Sequence, residues 1–182
     1  MFTPERIAVS AVGAALLAAC ATTSDAPGPV PTRGPGLGQR APAELVAAWD
    51  ISIPPSGAGL PAGSGSVAQG AKVYAAKCQA CHGEKGAGKP ADRLAGGIGS
   101  LGSGKAVMTV GSYWPYATTL FDYVRRAMPT TAPMTLTNEE VYAVSAYVLY
   151  LNGIIREDQV MNAKTLPQVK MPNRDGFVNI SK

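Results

Sequence analysis

The chain has one histidine, and it stands directly after a Cys-x-x-Cys pair: Cys78-Gln79-Ala80-Cys81-His82. With one His and three Cys in 182 residues, no multi-histidine metal cluster can be built. Half of a zinc site is present, but no second Cys or His pair completes four ligands. A structural disulfide or redox pair is a further reading of the two thiols. The adjacent His and the lack of a thioredoxin-like βαβ pattern speak against it. The spacing suits another chemistry better. Two thiols three residues apart, at a helix end, can form thioethers with both vinyl groups of one porphyrin. The imidazole that follows is then carried under the iron. The expectation is one covalently bound haem c, attached through Cys78 and Cys81, with His82 as proximal iron ligand.

Composition limits the rest. A charged fraction of 15% and an apolar fraction of 46% exclude a disordered polyelectrolyte. A net charge of +4, with no basic cluster on a groove-reading element, gives no argument for nucleic acid. No apolar run reaches the roughly 20 residues that span a bilayer. The first twenty residues nevertheless look like an export signal. Arg6, offset by Glu5, precedes an apolar stretch from Ile7 to Ala19, too short to span. Its end, Leu17-Ala18-Ala19-Cys20, resembles the lipobox of bacterial lipoproteins; the plainer alternative is an ordinary cleavage site beside an incidental Cys. The expectation is a lipoprotein-type signal over 1–19 and lipidation at Cys20. The protein would then be exported and held on the periplasmic side of a membrane by its N-terminal lipid.

Residues 20–48 then form a linker, with Pro27, Pro29, Pro31 and Pro35 among Gly28, Gly34, Gly36 and Gly38. One helical turn is expected over 42–49. Residues 49–65 read as an extended arm that packs Trp49, Ile51 and Ile53 against the domain and stops at Pro54-Pro55. The domain proper is 66–153. Ser66 can cap a helix running to Cys78, and Lys85–Lys105 is a Gly-rich loop. A second helix covers Thr118–Ala127, with Leu120, Phe121 and Val124 inward and Pro129 forbidding continuation. The third starts at the capping box Thr137-Asn138-Glu139-Glu140, presents Val141, Val144, Tyr147, Val148 and Leu151 at helical spacing, and stops at Asn152-Gly153. The tail, 154–182, has no convincing period and is expected along the surface.

These residues resemble a class I cytochrome c over 66–153: Gly70-x-x-x-Tyr74, then Cys78-x-x-Cys81-His82, a Met-Pro loop, and a last helix carrying Tyr147. The resemblance implies an all-α class I cytochrome c fold, three main helices around one covalently attached haem, with an N-terminal arm and C-terminal tail added. It implies that Gly70 lets the last helix cross closely, with Gly70 and Tyr74 meeting Val144 and Tyr147. It also places a thioether ligand at Met128. Met134, six residues on, is the rival, but it leaves little chain to reach across a haem before the helix cap. Pro129 stiffens the turn after Met128. Met108, Met161 and Met171 are expected in the core. Tyr113 and Trp114 can pack on the ring edge and bond its propionates, or can equally form a core aromatic cluster. Arg126 or its neighbour Arg125 could neutralise a propionate, though adjacent helical residues do not face the same way. Lys72, Lys77, Lys85 and Lys89 flank the attachment site as a basic rim or as a plain solvated face.

A second resemblance runs through Trp49-Asp50-x-Ser52-x-Pro54, Gly59-Leu60-Pro61-x-Gly63-x-Gly65, residues 110–129, Ala163-Lys164-Thr165-Leu166-Pro167 and Met171-Pro172-Asn173-Arg174-Asp175-Gly176-Phe177. These segments are similar to the cytochrome subunit of bacterial sulfane/sulfite dehydrogenases, the haem partner of a molybdenum subunit. The chain departs from the two-haem sulfane subunit in having one attachment site, and a lipobox replaces a plain signal. The resemblance implies an electron carrier, not itself an enzyme. It would take electrons from a molybdenum dehydrogenase and pass them to a downstream cytochrome or oxidase. Service to a different exported dehydrogenase is the nearest alternative. A ligand-binding sensor or peroxidase-like haem protein is a more distant one, because no second His is available for a distal pocket. A purely structural anchor is the third.

Overall fold

The central element is a helix that is buried on nearly all sides. In the computed structural model, which describes residues 38–178 and 180, this helix is Asn138–Leu151, here α5. Eight of its residues are buried, from Val141 to Leu149. A helix apolar all round belongs at the centre of a core, and helices 67–77 and 117–127 and the short strand pair pack on it. Its start is fixed by the capping box foreseen from the sequence. The Glu140 N–H donates to Thr137 Oγ1 (3.2 Å), and the Thr137 N–H donates to Glu140 Oε2 (3.0 Å).

Ahead of α5 in the chain come α1 (Ala43–Trp49), β1 (Ser64–Ser66), α2 (Val67–Lys77), the single turn α3 (Gln79–His82) and α4 (Ala117–Ala127). β2 (Val160–Asn162) follows α5. Helix α2 opens on a second capping box, Ser66 with Gln69. It crosses α5 at Gly70, where an added Cβ would fall on the Ala143 carbonyl and 2.7 Å from Tyr147 Cβ. The expected close approach is therefore made, with Ala143 rather than Val144 opposite the glycine. Tyr74, one turn on, meets the Tyr147 ring at 5.3 Å. From the other side α4 delivers Leu120 and Phe121, and Phe121 lies 4.4 Å from the Tyr142 ring.

The described residues from 43 onward form one compact unit, and 38–42 are exposed. The expected signal, Cys20 and the linker up to residue 37 lie outside the described residues. Among the described residues no helix is long and apolar enough to cross a membrane.

Four details differ from the sequence expectations. Trp49 does not pack on the domain; it is 76% exposed, whereas Ile53 is buried and Ile51 half-buried. The reason is local: Trp49 ends α1, which buries no residue, so the inward alternation starts only beyond Asp50. Met108 is not a core residue but 64% exposed. Its neighbour Thr109 is turned inward by a bond from Oγ1 to the Gly96 carbonyl (2.6 Å), and the alternation sends Met108 out. The tail does more than cover a surface, because Ile155, Met161, Leu166 and Met171 are all buried. Finally, β1 and β2 pair antiparallel with Gly65 opposite Met161. A Ser-Gly-Ser strand has no hydrophobic alternation to betray it. Its Gly65 is needed because a Cβ there would strike the Ala143 backbone.

Candidate functional site

The attachment segment begins where α2 ends. Cys78 is the C-cap, its N–H still donating to Tyr74 O (2.9 Å), and α3 turns the chain through Cys81 and His82. Gly83, at φ +74°, ends that turn. The segment is then pinned by its own following loop. The Ala91 N–H donates to Cys81 O (2.9 Å), the Gly88 N–H to His82 O (2.8 Å), and the Tyr74 hydroxyl to Gly83 O (2.8 Å). His82 Nδ1 lies 2.8 Å from the Asp92 carbonyl oxygen. A carbonyl only accepts, so Nδ1 carries the proton and Nε2 presents its lone pair. That is the tautomer and orientation a metal-ligating imidazole needs.

The thiols fit a porphyrin better than they fit redox or zinc chemistry. Cys78 and Cys81 are not bonded to each other. Burial pushes the Cys78 thiol up to about 11, with a smaller upward contribution from Cys81 that Lys77 opposes. At neutral pH Cys78 is therefore a neutral thiol. A dithiol oxidoreductase lowers its attacking sulfur instead. Among the described residues no group of three His, Cys, Asp or Glu could hold a metal ion by itself. Two unpaired thiols and an imidazole fixed through Nδ1 are the donor set that covalent haem attachment requires.

The cytochrome c family matches residues 67–152, which run from the start of α2 to the end of α5. The crystal structure of the sulfane dehydrogenase SoxCD from Paracoccus pantotrophus contains a similar chain. It is 42% identical with a TM-score of 0.76, over 81% of this chain and 73% of that one. This chain belongs to the cytochrome c family. No curated protein matches it. A cytochrome c carries covalently bound haem c and transfers electrons, and the helical core described above is the class I cytochrome c fold.

The other residues singled out in the sequence are spread along this cytochrome. Met128 is the C-cap of α4, half-buried, with its N–H donating to Val124 O (3.1 Å). Met134 is 56% exposed at φ +62° in the loop before α5. Trp114 packs against the core and stands edge-on to Tyr123 at 5.6 Å. Tyr113 turns to the tail instead: its carbonyl accepts from Asn173 Nδ2 (2.7 Å) and its ring meets Phe177 at 5.2 Å. The two neighbours thus serve different contacts. The Arg126 fork is engaged by the Asp122 carboxylate, which holds the guanidinium pKa above its ordinary value. Arg125 Nη1 reaches the Ile51 carbonyl at 3.5 Å. Of the rim lysines, Lys77 is paired with Glu140 at 2.6 Å, while Lys72, Lys85 and Lys89 are exposed.

Three structurally important residues escaped the sequence reading. Asp92 acts through its backbone carbonyl, which no side-chain pattern announces. Asp122 sits mid-helix with a buried carboxylate; a charged residue on the inward side of an amphipathic stripe was the available signal. Asn152 appeared only as a helix stop. Its side chain in fact accepts from the Gly96 N–H (3.0 Å) and donates to Leu94 O (3.1 Å) and Val148 O (2.9 Å). It ties the loop after the attachment segment to the end of α5.

Proposed function

We propose that this cytochrome carries one haem, attached at Cys78 and Cys81 and ligated by His82 and Met128. In this reading it accepts single electrons from a molybdenum sulfite or sulfane dehydrogenase subunit and hands them to a downstream cytochrome or oxidase. The observation that carries the donor assignment is the 42% identity to a chain of a sulfane dehydrogenase, which extends through most of the molecule and not the haem core alone. The single His and the single CxxCH support the reading of one haem.

Haem supplies the one-electron chemistry; the protein supplies attachment, ligands and access. The Asp92 carbonyl holds the imidazole in one tautomer. With haem bound, Met128 would offer a soft sulfur, a ligand type that favours the ferrous state and raises the potential. Its place at the end of a packed helix fixes it better than the exposed turn fixes Met134, so we assign the sixth position to Met128. A ligand kept in both redox states leaves little to rearrange during transfer. Tyr113 and Trp114 would contribute the aromatic surroundings of the ring, and Arg126 a nearby positive charge. The reading includes export and a lipid anchor at Cys20, which would hold the cytochrome on the periplasmic side of a membrane.

The test is anaerobic reduction of the oxidised, full-length haem protein by sulfite, with and without the molybdenum dehydrogenase of the same source. Fast growth of the ferrous absorbance bands only in the presence of the dehydrogenase is the expected result. Reduction by ascorbate but none by sulfite plus enzyme would keep the electron carrier and remove the sulfur-compound donor.

A further inference from the structure

We propose that Asp122 is a positioning residue for Met128, acting by clamping the N-terminal arm and the last turn of α4 together. The proposal rests on the assignment of Met128 as the distal ligand. Three residues of α4, at helical spacing, grip three backbone groups of the arm. Thr118 Oγ1 donates to Pro55 O (3.3 Å), Asp122 Oδ1 accepts from the Ile53 N–H (2.9 Å), and Arg125 Nη1 reaches Ile51 O (3.5 Å). As the helix advances the arm residues count down, so the arm lies antiparallel along the helix that ends at Met128.

Asp122 is the centre of this arrangement. It is only 8% exposed, and its two oxygens are divided between neighbours. Oδ1 accepts from Ile53 N and from Arg126 Nε (3.1 Å), and Oδ2 takes the second guanidinium nitrogen. Burying a carboxylate is costly unless every lone pair is used, and an apolar staple would hold an arm down as well. A carboxylate does something an apolar group cannot: it fixes the direction of Arg126 in the terminal turn. Helix ends fray because their last carbonyls have no intrahelical partner. Arg126 lies in that turn and Met128 caps it, so a turn held by Asp122 delivers the methionine sulfur at one position.

The test uses the full-length haem-loaded protein with Asp122→Ala, Asp122→Asn and, as a control for global destabilisation, Met161→Ala in β2. Three signals are read at a temperature where all are folded by far-ultraviolet circular dichroism. They are the far-red charge-transfer absorption of methionine-ligated ferric haem, carbon monoxide uptake by the ferrous protein, and amide exchange of residues 124–128. Carbon monoxide competes with the sulfur, so its apparent affinity follows the fraction of molecules with the methionine displaced. We expect a rise of about tenfold in Asp122→Ala. Asp122→Asn, which keeps an acceptor for Ile53 but loses the ion pair, should fall between it and wild type. Met161→Ala should lose stability without changing either haem signal. Should Asp122→Ala not accumulate, the same signals in Asp122→Asn decide the matter. Unchanged absorption and carbon monoxide exclusion in the folded Asp122 variants would overturn the proposal, as would an equal change in Met161→Ala. A wild-type protein that lacks the charge-transfer band and binds carbon monoxide freely would instead overturn the ligand assignment, and the proposal with it.

Discussion

The two sides of the candidate haem site are held by different kinds of interaction. The bonds that fix residues 78–92 are local: Tyr74 to Gly83 and His82 to Asp92 span nine and ten residues, and Asn152 reaches in only beyond that segment, at Leu94 and Gly96. On the Met128 side they reach across the chain. Ile53 to Asp122, Thr118 to Pro55 and Arg125 to Ile51 span 69, 63 and 74 residues. Loop closure costs grow only slowly with length, so both are accessible to a folded chain. What differs is dependence. The local side is organised by a few neighbouring residues, whereas the Met128 side requires that α4, the arm and α5 already be packed.

The largest expected effect breaks the local side. His82→Ala removes the only imidazole, and the covalent haem protein should be lost outright, read by haem staining of denaturing gels. Accumulation of a normally loaded, low-spin haem protein would disprove the ligand role. The next strikes the long-range side. Phe121 is fully buried and packs on Tyr142, so Phe121→Ala should cost about 3–5 kcal/mol in urea unfolding. If the comparison is right, that variant should loosen the Met128 loop in amide exchange before it loosens residues 78–92.

The same contrast explains what could be read from the sequence. Helices α2, α4 and α5 were legible because their caps and periods are local signals: Ser66 as a cap, Thr137 with Glu140, Leu120 with Val124. The crossing at Gly70 was legible too, since a glycine inside a helix costs about 1 kcal/mol and calls for a packing reason. CxxCH announced the attachment chemistry without any tertiary information. The inward place of Asp122 on its helix stripe was a signal, but nothing local names its partner in the arm, and nothing distinguishes the Asp92 carbonyl from any other. The β1–β2 pair was invisible for a related reason: its six residues are defined by what they pair with and by the Ala143 backbone beneath Gly65. Trp49 misled because its alternation with Ile51 and Ile53 is real in sequence but interrupted by the end of α1.

A smaller effect tests how much a single bond holds the attachment side. Tyr74→Phe deletes the bond to Gly83 O and should cost about 1 kcal/mol. It also carries a pH signature. Burial pushes the Tyr74 hydroxyl up to about 12 from 10.0. The fold thus prefers the protonated phenol, so this stabilisation is complete below pH 10 and is lost as the pH rises from there through about 12. Unfolding midpoints of wild type and Tyr74→Phe should therefore converge over that interval. Parallel curves would show that the hydroxyl is not titrating as argued.

The smallest effect lies where α2 meets the start of α5. The Lys77 ammonium, with the Thr137 N–H second, holds the Glu140 carboxyl below its ordinary 4.5. Glu140→Gln keeps the capping-box geometry, since Gln serves at that position, and removes only the ion pair with Lys77. Both side chains are partly solvated, so the loss should be at most about 1 kcal/mol at neutral pH and smaller at high salt. The depressed pKa fixes the direction of the acid dependence. The contribution is present above pH 4.5 and disappears as the pH falls through the lower folded value, so wild type and variant should become equally stable in acid. A difference that persists there would assign the effect to the cap instead. The ion pair sits one residue before Cys78, so the variant also asks whether the attachment turn depends on any distant partner. If its fixing is local, the exchange of residues 78–92 should not change.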